Sequence, residues 1–265
     1  MNYSVLNKIV ADPFHIVIFQ FFSEYYDDRI SHLFSMQLRG EALMHTIDDL
    51  YVNFPPHIDE TTARLIEENA RRILLPAKKI FVRPGDPVTS ILYIKEGRTR
   101  HYMISPDGIE KVIYILGKGW FLRERTFVDE LGYQAARYSI TEIPTELYAI
   151  ERDQFEVLIQ HPEFAKALLR SSCIKGEMLR RHAESIAFDS GKERLMKLLV
   201  SLADKTAVDS ERWNPLTIQY TQQEMSAIIG VNRVTISRFM TELCNEGQIR
   251  VINRKIQVLR GLKIS

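Results

Sequence analysis

Eighteen consecutive residues, Thr221 to Arg238, confine the C-terminal part of the chain to one local arrangement. Thr221 and Glu224 stand three apart, the spacing of a capping box, and mark a helix start. Met225, Ile228 and Ile229 give that helix an apolar face, and Gly230 follows as the residue type that ends helices in a left-handed turn. Asn232 is a second N-cap. The spacing predicts a second helix from about Arg233 to Glu246, with Ile236, Phe239, Met240 and Leu243 turned inward. Two helix starts and one stop this close together read as a helix-turn-helix, although any helical hairpin needs caps and a glycine turn.

The tail decides between these. Ile249 to Ile252 and Ile256 to Leu259 read as strands flanking Asn253-Arg254-Lys255, a small hairpin of the winged type. From Arg233 to the end there are seven Lys/Arg against two acids, in a chain whose net charge is only +1. The positive charge therefore lies where a phosphate backbone would pass. A recognition helix enters the major groove by its N-terminal end, so Arg233, Val234, Thr235, Ser237 and Arg238 are the candidate DNA contacts.

Upstream, Ile80 to Val82, Ile91 to Ile94, Arg100 to Ile104, Lys111 to Leu116 and Leu147 to Ile150 are strand-like. Gly85, Gly97, Gly108 and Gly119 recur at intervals of eleven or twelve, and Pro84-Gly85-Asp86 and Pro106-Asp107-Gly108 are strong turns. Short strands at this spacing predict a β-sandwich or barrel. Pro162 to Phe188 supplies a long helix with Phe164, Leu168, Ile174 and Met178 on one stripe and Lys175, Glu177, Arg180 and Arg181 on other faces. Asp189-Ser190-Gly191 looks like a hinge before a helix bearing Leu195, Leu198, Leu199 and Leu202.

These residues resemble the Crp/Fnr regulators from about residue 60 to the end. Thr235-Ile236-Ser237-Arg238 after a Gly-x-Asn-Arg turn is similar to their recognition helix. The resemblance implies base contacts from Arg233 and Arg238, a backbone contact from Thr235, and phosphate contacts from Thr221 and Gln223. Val234 departs from the family, many of whose members carry there a Glu that accepts from cytosine. An apolar side chain cannot accept a hydrogen bond, so the operator should differ at that base pair, a thymine methyl being one fit. The same run is similar to halorespiration regulators that sense chlorinated phenols.

The resemblance further implies an α+β chain. Residues 1–55 are an extension of unknown role, 56–160 a double-stranded, jelly-roll-like β-roll sensor, 161–188 a dimerisation helix, and 189–265 a winged helix-turn-helix. Binding of a cyclic nucleotide needs a Gly-Glu pair for the ribose and an Arg-Ser/Thr pair for the phosphate. Here Trp120-Phe121-Leu122-Arg123-Glu124-Arg125 has Arg123 at the Gly position, and Ala135 stands where the phosphate-binding Arg should be. Cyclic AMP is therefore not expected. Trp120, Arg123, Glu124 and Arg125 instead suit a small anionic or aromatic effector, guanidinium for the charge and rings for the body. A solvated face or a salt-bridged turn explains the same residues equally well.

The expected protein is thus a ligand-responsive regulator acting as a homodimer on palindromic double-stranded DNA, with RNA polymerase as a further partner if it activates. The plainer reading of the long helix, packing on its own domain, stays open. So does a signalling module that binds a ligand and a protein partner without specific DNA. A cupin-like enzyme needs clustered ligands such as His-x-His, and the seven histidines contain no such pair, so neither a catalytic residue nor a cofactor is expected. Two cysteines, Cys173 and Cys244, exclude an iron-sulfur sensor. His101 is the one haem-ligand candidate in the roll, against the plain reading of an ordinary strand histidine. Cys173 fits an intersubunit disulfide or, more simply, a small buried thiol.

The longest apolar run, Phe14 to Phe22, is interrupted by His15 and Gln20, too short for a bilayer, and poor as a signal peptide, which points to the cytoplasm. Residues 1–50 are either an added helix against the roll or a stretch upstream of a true start at Met36 or Met44.

Overall fold

Helix α1, Glu60–Asn69, opens the part of the chain that the computed structural model describes, which is residues 58–127, 133–204 and 212–262. The N-terminal extension and Lys263 lie outside it. Asp59 caps α1 by accepting from the Thr62 amide at 2.8 Å, and Ile66 on its inner face is fully buried.

Strands β1 (Arg71–Leu75), β2 (Ile80–Val82), β3 (Pro87–Val88), β4 (Ile91–Glu96), β5 (Arg98–Ile104), β6 (Glu110–Gly117), β7 (Phe121–Leu122), β8 (Tyr133–Gln134), β9 (Tyr138–Thr141) and β10 (Thr145–Ile150) then form the roll. One four-stranded sheet has the order β1-β10-β4-β7, its opposite β2-β9-β5-β6, and β3 pairs with β8. Every pairing is antiparallel. Gly97 joins β4 to β5 at φ 105°, where an added Cβ would stand 2.6 Å from Thr145 Cα, so only glycine makes this corner. Between the sheets lie Leu92, Ile94, Leu116, Trp120 and Leu147. A second core, Ile91, Phe121, Ile150, Leu158 and Phe164, seals the roll against α1, α2 (Arg152–Leu158) and the start of α3.

Helix α3, Pro162–Phe188, runs 27 residues, about 40 Å at 1.5 Å per residue. Pro162 in its first turn loses no helical hydrogen bond. Phe164, Ala167, Leu168, Ser171, Lys175 and Met178 are buried, whereas Leu169, Cys173, Leu179 and Ile186 are exposed. The hinge is short and tied. Asp189 Oδ2 accepts from Ser185 Oγ at 2.5 Å and from Lys197 Nζ at 2.7 Å, and Ser190 and Glu193 close a capping box on α4 (Gly191–Ser201).

The last elements are β11 (Trp213–Pro215), α5 (Gln222–Ile229), α6 (Arg233–Asn245), β12 (Ile249–Ile252) and β13 (Lys255–Leu259). The strands form one sheet in the order β11-β13-β12, a winged helix-turn-helix. Its core is continuous with the outer face of the roll. Tyr102, Val112 and Ile115 share one apolar cluster with Leu195, Ile228, Ile229 and Ile236. Polar contacts cross the same seam: Lys111 Nζ donates to the Ile228 carbonyl at 2.5 Å, and Tyr220 Oη donates to Glu142 Oε2 at 3.1 Å. Burial, with Arg194 adding repulsion, depresses the Lys111 ammonium to about 8.

Candidate functional site

Two places gather chemistry. The first is the exposed end of α6. Thr221 and Glu224 cap α5, Gly230 at φ 74° ends it, and Asn232 Oδ1 accepts from the Thr235 amide at 2.8 Å, so α6 begins where the sequence places it. Ile236, Met240 and Leu243 are buried, which turns Arg233, Val234, Ser237 and Arg238 to solvent and leaves Thr235 half-buried. Val234 is 79% exposed. Gln223 and the cap residue Thr221 are exposed at the neighbouring end of α5. Arg238 stacks on Phe239 at 5.2 Å and lies 3.8 Å from Glu242, which holds its guanidinium along the helix.

The wing turn is formed by Asn253 and Arg254, both at positive φ (50° and 63°), the pairing of a type I′ hairpin. Arg254 and Lys255 are exposed there. Arg250 is used differently: it lies over the Trp213 ring at 4.8 Å and bonds Gln257. Nothing in the sequence announced β11, which brings Trp213 to that arginine.

The second place is a cavity of about 300 Å³ between the inner face of the roll and α3. Its apolar wall includes Val82, Val88, Leu116 and Leu122, and its charged wall comprises Arg123, Glu124, Arg125, Arg137 and Lys175. Arg123 has φ 65°, so a residue with a Cβ holds the left-handed conformation that favours glycine. Three of the four residues proposed from sequence, Arg123, Glu124 and Arg125, line the cavity. Trp120 does not, since it is fully buried in the roll core with Lys175 Nζ 5.7 Å from its ring centre.

Lys175, which the sequence reading puts off the apolar stripe of α3, is part of the cavity wall. It is buried, its ammonium pairs with Glu124, and it donates to the Phe121 carbonyl. Ser171 Oγ donates to the same Glu124 carboxylate at 2.7 Å. The carboxylate that would bind a ribose is thus already held by two residues of α3. Ala135 lines the cavity without a guanidinium, while Arg137, two residues on, lies over the Tyr114 ring at 5.2 Å. Cys173, read from sequence as a buried thiol, is exposed, as is Cys244.

His101 reads from sequence as an ordinary strand histidine or a haem-ligand candidate. It is buried in the cavity wall, Nε2 2.9 Å from Thr99 Oγ1 and Nδ1 2.9 Å from Ser139 Oγ. With the Thr99 hydroxyl directed to the Leu116 carbonyl, 3.3 Å away, the tautomer that fits carries its hydrogen on Nε2, which donates to Thr99, and Nδ1 accepts from the Ser139 hydroxyl. Burial first, then Arg137, Lys175 and Arg123, hold the imidazole well below its usual value, and it is neutral. Among the described residues no cluster of three potential metal ligands occurs, and no helix is long and apolar enough to cross a membrane.

Comparison with known proteins follows this division. Residues 72–161 match the cyclic nucleotide-binding domain and residues 193–262 the Crp-like helix-turn-helix domain. The cAMP-activated global transcriptional regulator CRP of Haemophilus influenzae is 24% identical over 184 residues, 69% of this chain and 81% of that protein. The CRP-like cAMP-activated global transcriptional regulator of Mycobacterium tuberculosis is 24% identical over 178 residues, 66% of this chain and 77% of its own length. Among solved structures, the c-di-GMP responsive global regulator CLP of Xanthomonas campestris superposes with a TM-score of 0.67 at 21% identity, covering 77% of this chain and all of that one. CprK complexed with OCPA gives 0.60 at 20% identity, covering 78% and 93%. These relatives are transcription regulators and not enzymes. A nucleotide-binding-type roll followed by a Crp-like reading head makes this chain a member of the Crp/Fnr family of ligand-responsive, DNA-binding transcription regulators.

Proposed function

We propose that the chain acts in the cytoplasm as a homodimer on a palindromic operator, reading bases with the first turn of α6 under control of a small anionic or aromatic effector other than cyclic AMP. The exposed Arg233, Val234, Ser237 and Arg238 on a doubly capped helix pair carry the reading of DNA. Thr235, Thr221 and Gln223 supply backbone contacts, with Arg254 and Lys255 of the wing reaching phosphates. The exposed Leu169, Cys173 and Ile186 of α3 supply the self-complementary seam that a two-fold axis requires. Where the regulator activates, RNA polymerase is its further partner.

The effector occupies the cavity, with the arginines taking its charge. Glu124 is engaged by Lys175 and Ser171, Arg123 fills the glycine position and Ala135 offers no phosphate ligand, so a cyclic nucleotide finds none of its usual partners. An aromatic acid or a phenol matches the walls. Selection of random duplex DNA by the purified protein, with and without a panel of aromatic acids, phenols and cyclic nucleotides, tests the whole reading. A palindrome enriched only with one ligand is expected. Enrichment without any ligand removes the switch, and no enriched site under any condition replaces DNA by a protein partner.

A further inference from the structure

The cavity contains a titratable group with no assigned role, and that group is wired to a hydroxyl on the same wall. His101 and Ser139 both line the cavity. The groups that face His101 are Thr99 on its own strand, Tyr114 on β6, Ser139 on β9, Arg123 and Glu124 after β7, Arg137 before β9, and Lys175 on α3. Arg123, Arg125, Arg137 and Lys175 stand there against Glu124 as the one acid among the described lining residues. Burial first and then this field keep the imidazole neutral, and an anion placed among the same cations offsets the field by its own charge.

The hydrogen bonds allow the change without moving a heavy atom. In the Nε2–H tautomer of the neutral ring the Ser139 hydroxyl, 2.9 Å away, donates to Nδ1. When Nδ1 takes a proton from solvent, it becomes the donor to Ser139 Oγ, and the Ser139 hydroxyl hydrogen must turn away. The side open to it is the cavity, where a bound carboxylate or phenolate accepts. The bond from Nε2–H to Thr99 is kept throughout. One proton is gained by the protein, none is lost by the ligand, and one hydrogen bond is transferred from the histidine to the anion.

We infer that the cavity takes an organic anion together with one proton, which His101 accepts while Ser139 turns its hydroxyl to the anion. This rests on the proposed role of the cavity as the effector site, and it adds the chemical class of the effector and a linkage between its binding and pH. Because the free ring is neutral, affinity must rise as pH falls, approaching tenfold per pH unit between the values of the free and bound histidine.

The test titrates the full chain with benzoate and 4-hydroxyphenylacetate by calorimetry at pH 6 and pH 8, in two buffers of different ionisation heat, with benzyl alcohol as the neutral control. Expected are uptake of about one proton per anion at pH 6, weaker binding at pH 8, and a side-chain nitrogen signal of His101 that changes from neutral to imidazolium on binding. Ser139→Ala should bind more weakly at pH 6 and lose most of the pH dependence, and His101→Gln should bind with no proton uptake. Anion binding without proton uptake, or uptake with the His101 signal unchanged, overturns the proton linkage and leaves the effector site standing. Binding of benzyl alcohol alone, or of none of the three, overturns the anion site as well.

Discussion

At the scale of single residues, Arg123 is the position where stability and recognition oppose each other. Its φ of 65° costs about 1–2 kcal/mol for a residue with a Cβ, and its side chain stands in the cavity wall. Arg123→Gly should therefore raise the unfolding free energy of the ligand-free protein by roughly 0.5–1 kcal/mol, the relieved strain exceeding the entropy that glycine adds to the unfolded chain. The same substitution should weaken benzoate binding at least several-fold. Urea unfolding and calorimetry on one variant read both, and a less stable variant would remove the idea of strain held for function. Val234 is the complementary case, an exposed apolar residue with no packing role. Val234→Ala should leave stability unchanged within about 0.5 kcal/mol and relax operator preference at one base pair in each half-site.

At the scale of elements, the contact of α5 with β6 carries a pH dependence of definite sign. Lys111 is held at about 8 in the folded protein, against 10.5 when free, so between those values the folded state has released a proton that the unfolded chain still binds. Stability must then rise with pH through that window. Relative to Lys111→Met, which cannot titrate, the wild-type chain should gain unfolding free energy between pH 7 and pH 9.5 in urea titrations, and a constant difference would refute the burial of that charge. The elements legible in sequence were those whose signals are local. Thr221, Glu224, Gly230 and Asn232 define α5 and α6 by capping alone, and the wing follows from a turn between two apolar runs. Strands β9 and β11 escaped notice because Tyr138–Thr141 and Trp213–Pro215 are short and become strands by pairing with distant partners. The burial of Lys175 is invisible to helical spacing, which says nothing of an acid 51 residues earlier in the chain. His101 looked ordinary because its partners Thr99 and Ser139 come together only across β5 and β9.

At the scale of the whole molecule, two-fold assembly and DNA reading should respond to separate changes. Leu169→Glu together with Ile186→Glu should shift the protein from dimer to monomer in sedimentation while its circular dichroism is retained, since both side chains are exposed on α3. Arg254→Ala should lower affinity for all duplexes and reduce the salt slope by about one, whereas Arg238→Ala should cost about 1–3 kcal/mol only on the selected operator. Strands β5 and β6 link these two halves of the molecule. His101, Tyr114 and Leu116 face the cavity, while their chain neighbours Tyr102 and Ile115 face the helix-turn-helix. A descendant of this protein can therefore change what it senses by substitutions at alternate positions of the hairpin and leave the grip on its reading head intact. Deleting His101 or Tyr102 from β5 would exchange the faces of the residues on one side of the cut and abolish both properties in one step.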